Sequence, residues 1–507
     1  MSKDLGDFQT PPALVNEILK SLESINEVWT RVFEPTCGEG NFIKGLLELA
    51  SPPREIQGVE IQQDYLKKAQ KIVTMSSCTR ITLKGRNIFD LDLRKELQWK
   101  EKGPLLIIGN PPWVTNSQQG VLNSENLPNK TNLKKLSGLE ALTGESNFDI
   151  AEYIWLKLIQ EFASEEPTIA LLCKTSVARN VLKFASDTSI PISSAWIKKI
   201  DAKKWFHAAV DACLFYVKIG SGNPRYEMAV YPDLVSTQSD FMIGMTGKRM
   251  IADVKAYNRL SFIDGSSTVT WRQGIKHDSA SVVELTYDVN GDLRNKLNEI
   301  VTVEPSYIYP LLKSSDLFNG VKSQRAVIVP QRQFGEDTYH LEKKAPKLWN
   351  YLTTHIHFFN QRKSAIYDNQ PPFAFFGIGE YSFAPYKVSI SGLHKSPRFR
   401  AVAPMNGRPV MFDDTCYILP CYSAKEAAFL ASLLNDPECL NFIKSIIFLD
   451  SKRPVTKKLL QRINLTALLS YIDRKILLSR INIELENLGC DEDQQELVWP
   501  SSLNQLL

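Results

Sequence analysis

A parallel, doubly wound α/β sheet is the fold expected for the first half of this 507-residue chain, with a mixed α+β second half behind it. Three observations lead there. Strand-like and helix-like segments alternate through the first two hundred residues. Loops carrying glycine or paired prolines follow two of those strands, at the end of the sheet where open α/β folds bind ligands. After Gly220 the texture changes to short β-like runs rich in Gly, Pro and Ser, with few long helices. The boundary is expected near 240, within about fifteen residues, giving domains 1–240 and 241–507.

The elements follow in order. Thr10-Pro11-Pro12 before ALVNEILKSL reads as a helix start, with Thr10 as N-cap and prolines in the first turn. RVFEP (31–35) is a short β run that ends in a glycine-containing loop, and NFIKGLLELA is a helix with helically spaced apolar residues. EIQGVEI (55–61) is a second strand and QDYLKKAQKIV a second amphipathic helix. ITLKGRNIFD supplies a third strand, and PLLIIGNPPW a fourth that is apolar up to its loop. DIAEYIWLKLIQEFA is a helix, and TIALLCKTS and DACLFYVKI are strands. In the second half AVIVPQRQFGED and PPFAFFGIGEYSFAPYKVSISG are β-like. A helical tail begins at AKEAAFLASLLN and continues through the basic KRPVTKKLLQR and LSYIDRKILLSRINIELENL to an acidic end, CDEDQQELVW.

Composition narrows the class. With 43% hydrophobic and 23% charged residues, the chain is neither disordered nor a disulfide scaffold. Its eight cysteines form no CxxC pair, so reduced, mostly buried thiols are expected. Of the six histidines only His355 and His357 are close; they lack a nearby cysteine, and no metal is expected. MSKDLGDFQTPP lacks the apolar core of a signal peptide, and no stretch is long enough for a membrane span. A cytoplasmic protein without a membrane partner is the expectation. The net charge of +4 hides an uneven distribution: residues 301–400 hold 13 Lys+Arg against 7 Asp+Glu. Such a segment is a solvated face or the footprint of a polyanion.

Two loops carry the chemistry. Glu34-Pro35-Thr36-Cys37-Gly38-Glu39-Gly40 lies between a strand and a helix, where glycines allow a cofactor close to the backbone. Twenty residues past Gly40, Glu60 ends the second strand, where a carboxylate can take both hydroxyls of a ribose. A dinucleotide would need a third glycine at Ile43, so a nucleoside cofactor without pyrophosphate fits better, and S-adenosylmethionine is the common one. Read for structure alone, Gly38 and Gly40 make a tight βα turn. The second loop, Asn110-Pro111-Pro112-Trp113, ends the fourth strand and is stiffened by its prolines. An Asn side-chain oxygen and the Pro111 carbonyl can accept both hydrogens of an exocyclic amine, drawing its nitrogen towards tetrahedral geometry. The Trp113 indole offers a face for an unpaired base.

In this order the two loops resemble the γ-class N6-adenine DNA methyltransferases of bacterial restriction–modification systems, the TaqI type, over most of the chain. FQTPPALV is similar to the motif before the cofactor loop, and the resemblance gives Thr10 to the methionine carboxylate. VFEPTCGEGNF resembles the cofactor loop, with Glu34, Pro35, Cys37, Gly38 and Gly40 around the amino acid and ribose. Glu60 and Ile61 fit the positions that hold the ribose and flank the cofactor adenine. KKWFHAAVDACLFYVKI resembles the motif whose phenylalanine, here Phe206, packs on the target base beside Trp113. The third motif carries Asn87 and Ile88 where an Asp is usual, with Asp90 as a substitute. Trp113 replaces the commoner Tyr or Phe.

The resemblance implies a Rossmann-like S-adenosyl-L-methionine-dependent catalytic domain, then a target-recognition domain for double-stranded DNA. It implies methyl transfer to N6 of a flipped-out adenine, with protection from a separate cognate restriction endonuclease. WRQGIKHDSASVVEL, YIYPLLKSSDL, VIVPQRQFGED and FGIGEYSFAPYKVSISGL look like recognition-region segments, and Arg272, Lys276, His277, Arg332 and Lys387 are candidate DNA contacts. The alternatives are a methyltransferase of RNA or of a protein glutamine amide, or a catalytically silent binding module. C5-cytosine chemistry would need a Pro-Cys pair near this site, and none is present.

Overall fold

A computed structural model describes residues 8–74, 78–113, 149–220, 222–321 and 324–490. The chain divides into two compact units, Met1–Lys255 and Ala256–Leu507.

The described strands of the first unit form one sheet. They are β1 (Arg31–Glu34), β2 (Glu55–Glu60), β3 (Arg80–Gly85), β4 (Leu105–Gly109), β5 (Thr168–Lys174), β6 (Ile192–Ile200), β7 (Ala212–Ile219), β8 (Glu227–Tyr231), β9 (Phe241–Thr246) and β10 (Arg249–Ile251). Their order is β10-β9-β8-β6-β7-β5-β4-β1-β2-β3. β3, β2, β1, β4 and β5 run parallel, as the strand–helix alternation predicts. β4 is buried throughout and β5 in all but its last residue, the pattern of strands covered on both faces.

One expectation needs correcting. The sheet is not parallel throughout: β7 lies antiparallel between β5 and β6. The connection 201–211 between β6 and β7 is too short for the crossover that parallel neighbours need, so the chain turns straight back. The sequence hid β6 because ISSAWIKKI interrupts its apolar residues with Ser and Lys. The unit runs to Lys255, at the margin expected for the boundary, and β9 pairs with β8 and β10 with β9 to complete the sheet edge.

Helices α1 (Pro12–Glu23), α2 (Asn41–Leu47), α3 (Gln63–Val73), α4 (Ile150–Phe162) and α5 (Thr175–Asp187) flank the strands. In α1 the buried positions Leu14, Val15, Ile18, Leu19 and Leu22 repeat at helical spacing and form one apolar stripe. Its N-cap is Pro11, not Thr10. Prolines at both Pro11 and Pro12 remove amides that a cap would have to satisfy, which frees Thr10 for the site.

The second unit is mixed α+β. One sheet has the order β11-β19-β16-β17, from β11 (Arg272–Gln273), β16 (Tyr386–Ser391), β17 (Phe399–Val402) and β19 (Cys416–Cys421). The other has the order β13-β12-β15-β14-β18, from β12 (Glu284–Tyr287), β13 (Leu293–Arg294), β14 (Ile308–Leu312), β15 (Arg325–Ile328) and β18 (Met411–Phe412). Of the long β-like run 371–392 only Tyr386–Ser391 is a strand; Glu380–Phe383 forms a 3-10 turn instead. The helical tail breaks before Arg474, because the Asp473 carboxylate accepts the amides of Lys475 and Ile476 as an N-cap. The acidic residues 491–499 and the first seven residues lie outside the described residues. No helix among the described residues is long and apolar enough to cross a membrane.

Candidate active site

β1 and β4 are neighbours at the point where strand order reverses, so their carboxyl ends open a crevice between the loops that follow them. A cavity there is lined by Thr10, Glu34, Pro35, Cys37, Gly38, Glu60, Ile61, Asn87, Ile88, Asn110 and Pro112. Segments far apart in sequence thus converge on one site. Asp90, the substitute considered for Asn87, is exposed and does not line the cavity. Asn87 holds its own turn, with Oδ1 accepting from the Phe89 amide at 3.0 Å.

The first loop turns on two glycines with positive φ, Gly38 at +53° and Gly40 at +86°. A Cβ on Gly38 would meet the end of the Gln9 side chain, and one on Gly40 would stand 2.8 Å from Ile72 Cδ1 and 3.3 Å from Ala69 Cα of α3. The left-handed conformation calls for glycine at both positions, and at Gly40 the close approach of α3 adds to it. The Gly38 amide donates to Glu60 Oε2 at 2.8 Å, and the Gln62 amide donates to Glu60 Oε1 at 2.7 Å. Both oxygens of the Glu60 carboxylate are thereby held at the end of β2.

Glu34 is 2% exposed, and its Oε2 meets no hydrogen-bond donor among the described residues. Burial, reinforced by the charge of Glu60, holds its carboxyl well above the usual range. An acceptor this deep and unanswered suits a cationic ligand group. Burial and the same two carboxylates push the Cys37 thiol up, so it stays protonated at neutral pH and is no nucleophile.

In the second loop the Asn110 amide nitrogen donates to the Phe8 carbonyl at 2.9 Å. That contact fixes which way the amide faces. Asn110 Oδ1 is left buried and without a hydrogen-bond partner among the described residues. An amide oxygen is thereby aimed and unsatisfied at the mouth of the sheet. Pro111 is buried and does not line the cavity, and Pro112 does. Trp113, 5% exposed, donates from Nε1 to the Leu172 carbonyl at 3.3 Å. Its ring meets Phe206 edge-on at 5.1 Å, and Phe8 lies 5.9 Å from Trp113 and 5.7 Å from Phe206. Neither Trp113, Phe206 nor Gly40 lines the cavity itself; the two rings form an aromatic cluster with Phe8.

The sequence reading missed several lining residues. Phe8 and Gln9 sit in FQTPP beside Thr10, yet nothing local shows that the Phe8 carbonyl reaches Asn110. Ile150 and Ile154 line the cavity from α4, and their i, i+4 spacing was the available signal. Thr36 holds the second loop, its hydroxyl donating to the Asn110 carbonyl at 3.4 Å.

In the second unit two of the candidate DNA contacts are corrected. Lys387 is 1% exposed and donates from Nζ to the Ala384 carbonyl at 2.7 Å. It sits on β16, whose other described residues are almost all buried, so period-2 alternation does not bring it to solvent. His277 is 6% exposed, accepts the Ser279 amide at Nδ1 and packs on Phe375. Lys276 is half-buried and pairs with Asp278 at 3.3 Å. Arg272 and Arg332 are exposed. His355 binds Glu299 at 2.9 Å beside a helix end rather than on a strand.

Burial pushes the Lys387 ammonium down to about 7 from its ordinary 10.5. The unfolded chain then binds more protons than the folded one between those values, so this group's contribution rises with pH across that window. Lys387→Met is expected to raise the thermal unfolding midpoint below pH 7, with the gain shrinking towards pH 10. A midpoint that falls equally at every pH would show that the side chain's packing, and not its buried charge, sets its contribution.

No family model matches the sequence. Among curated proteins, the Type II methyltransferase M.NspV of Nostoc sp. (strain ATCC 29411 / PCC 7524) is 37% identical over 473 residues, spanning 92% of this chain and 98% of that one. Among solved structures, the type IIL restriction–modification enzyme MmeI, determined in complex with DNA, has a TM-score of 0.58 at 14% identity. That match covers 100% of this chain and 75% of MmeI, and it shows a shared fold. With 37% identity across nearly the whole of both chains, and with the two loops brought to one crevice, this chain belongs to the type II methyltransferases of restriction–modification systems.

Proposed function

We propose that the chain methylates N6 of an adenine flipped out of double-stranded DNA, with S-adenosyl-L-methionine as donor. The observation that carries this reading is Asn110: its nitrogen is tied to the Phe8 carbonyl, and its buried oxygen awaits a donor. An exocyclic amine is such a donor, and the Pro111 carbonyl is the second acceptor that the resemblance assigns.

Bound S-adenosyl-L-methionine supplies a methyl group already activated on a sulfonium. The residues present fit it. Glu34 answers the ammonium of its methionine, Glu60 the ribose hydroxyls, and Ile61, Asn87 and Ile88 flank its adenine, with Thr10 towards the carboxylate. The protein's part is then positioning: Asn110 holds the amine, and the crevice excludes water.

Extracting a base from the duplex costs a few kcal/mol. Stacking on an aromatic ring returns roughly 1–3 kcal/mol per base. Trp113 and Phe206 are the rings assigned to that role, and they must part to admit a base because they touch here. Trp113→Ala is expected to abolish the fluorescence gain of 2-aminopurine placed at the target position. Equal gain in variant and parent would remove Trp113 from that role.

A protein glutamine amide is also planar and weakly basic, but a second unit, Ala256–Leu507, as large as the first favours an extended polyanionic substrate. Long-read sequencing of DNA from a methylation-deficient host expressing the chain tests the whole reading. The expected result is 6-methyladenine at a single motif, protected from a separate cognate endonuclease. Unmodified adenine throughout would reject the assignment.

A further inference from the structure

The second unit carries a cluster in which arginines lie over aromatic rings, with Arg272 and Arg332 exposed and the other members half-buried. Arg272 Cζ stands 4.9 Å from the centre of the Tyr381 ring, Arg332 Cζ 4.1 Å from that of Phe383, and Arg408 Cζ 5.6 Å from that of Tyr309. Tyr309 and Phe383 meet edge-to-face at 5.5 Å, which joins two of these pairs into one ladder. The six residues come from five separate stretches of chain, so the fold assembles the cluster.

Most other arginines of this unit are consumed internally. Arg294, Arg325, Arg453, Arg462 and Arg480 each pair with an aspartate at 3.0 Å or less. Arg272 and Arg408 have no carboxylate partner among the described residues; Arg408 is half-buried and donates from Nη1 to the Ile308 carbonyl at 3.0 Å. Arg332 turns one edge of its guanidinium, Nε and Nη2, to the Glu380 carboxylate at 3.4 Å, which leaves Nη1 and the second Nη2 hydrogen, and its side chain is 55% exposed. A guanidinium lying over a ring face loses little freedom when it binds, and in Arg332 the Nη1–Nη2 edge can still make a two-pronged contact.

We propose that this cluster reads guanine in the DNA site, with Arg332 as its central contact. The inference rests on the DNA-modification reading above and adds residues and a base to it. Guanine presents two acceptors, O6 and N7, on its major-groove edge, which match an arginine fork bidentately. A phosphate contact fits Arg332 less well, because the Glu380 carboxylate is 77% exposed beside it and repels a phosphate. The base edge carries no such charge.

The test compares parent, Arg332→Lys, Arg332→Ala and Phe383→Leu in the long-read assay, with methylation rates on purified DNA at several salt concentrations. Arg332→Lys keeps the charge and loses the fork. It is expected to relax the motif at one G·C position, with discrimination there falling about 5- to 150-fold. Phe383→Leu removes the ring under Arg332 and is expected to relax the same position less. Unchanged thermal midpoints establish that the variants fold.

Three outcomes would overturn the proposal. One is a parent motif made only of A·T pairs. Another is an unchanged motif in Arg332→Ala with a salt dependence shallower by about one phosphate contact, which would make Arg332 a backbone contact. The third is no change in either quantity. If the parent itself methylates no DNA, the underlying assignment fails, a result visible before any variant is compared.

Discussion

Asn110→Ala is expected to lower methyl transfer on the order of 10²–10³-fold, the scale for removing one preorganised polar group from a reacting centre. Affinity for S-adenosyl-L-methionine should change little, because the lost oxygen is proposed to face the amine to be methylated. The loss of the bond from Asn110 to the Phe8 carbonyl costs roughly 0.5–1.5 kcal/mol of stability, which the fold should tolerate. Asn110→Asp separates two roles. It keeps an acceptor but turns a second oxygen towards the Phe8 carbonyl, so the side chain is no longer held in place. Its rate should lie between those of the parent and the alanine variant. Single-turnover rates with saturating cofactor measure both. Parental turnover in Asn110→Ala would remove Asn110 from the chemistry.

Glu34→Gln should move two observables in opposite directions. Without ligand, the parent carries the cost of a carboxyl that burial and Glu60 hold well above its ordinary 4.5. A folded value raised above the unfolded one means that this group's contribution is fully present below about 4.5, and is lost as pH rises through the folded value. The variant has no such loss. It should unfold at higher temperature than the ligand-free parent at neutral pH, with the difference vanishing as pH falls below the unfolded value. Cofactor affinity should drop instead. A hydrogen bond to a charged group is worth roughly 1.5–3 kcal/mol, or about 10- to 150-fold in dissociation constant. Calorimetric titration and thermal unfolding across pH 4–8 give both numbers. A variant that is less stable without ligand would mean that Glu34 has a structural partner rather than a ligand to answer.

Much of the catalytic unit was legible because its signals are local. A strand of continuous apolar residues, a loop with two glycines, and a strand ending in Asn-Pro-Pro each declare themselves within ten or so residues. The spacing from Gly40 to Glu60 works for the same reason: one helix and one strand bring the carboxylate to the neighbouring strand end. The inverted β7 was not legible, because direction is set by connection length and by the available edge. Nor was the Phe8 carbonyl's hold on Asn110, between groups 102 residues apart.

The second unit shows the opposite balance. Lys387 and His277 looked like surface cations because charge and residue type were all that the sequence offered. Burial changes their meaning: one serves its own strand, and the other packs on Phe375 near the Glu284 carboxylate. Arg272 and Arg332 carry the same formal charge, yet rings lie beneath them and solvent above.

By itself, then, the sequence determined which groups are available and in what order: a carboxylate, glycines, a second carboxylate, and an asparagine braced by prolines. These are covalent facts, and local geometry carries them to the strand ends. Only the tertiary structure decided which polar atoms remain unsatisfied. Among the described residues Glu34 Oε2 and Asn110 Oδ1 lack partners because of what surrounds them, and the free energy of an unpaired buried acceptor is what a ligand relieves. Solvation and pairing depend on every neighbouring segment at once, so no single stretch of residues encodes them.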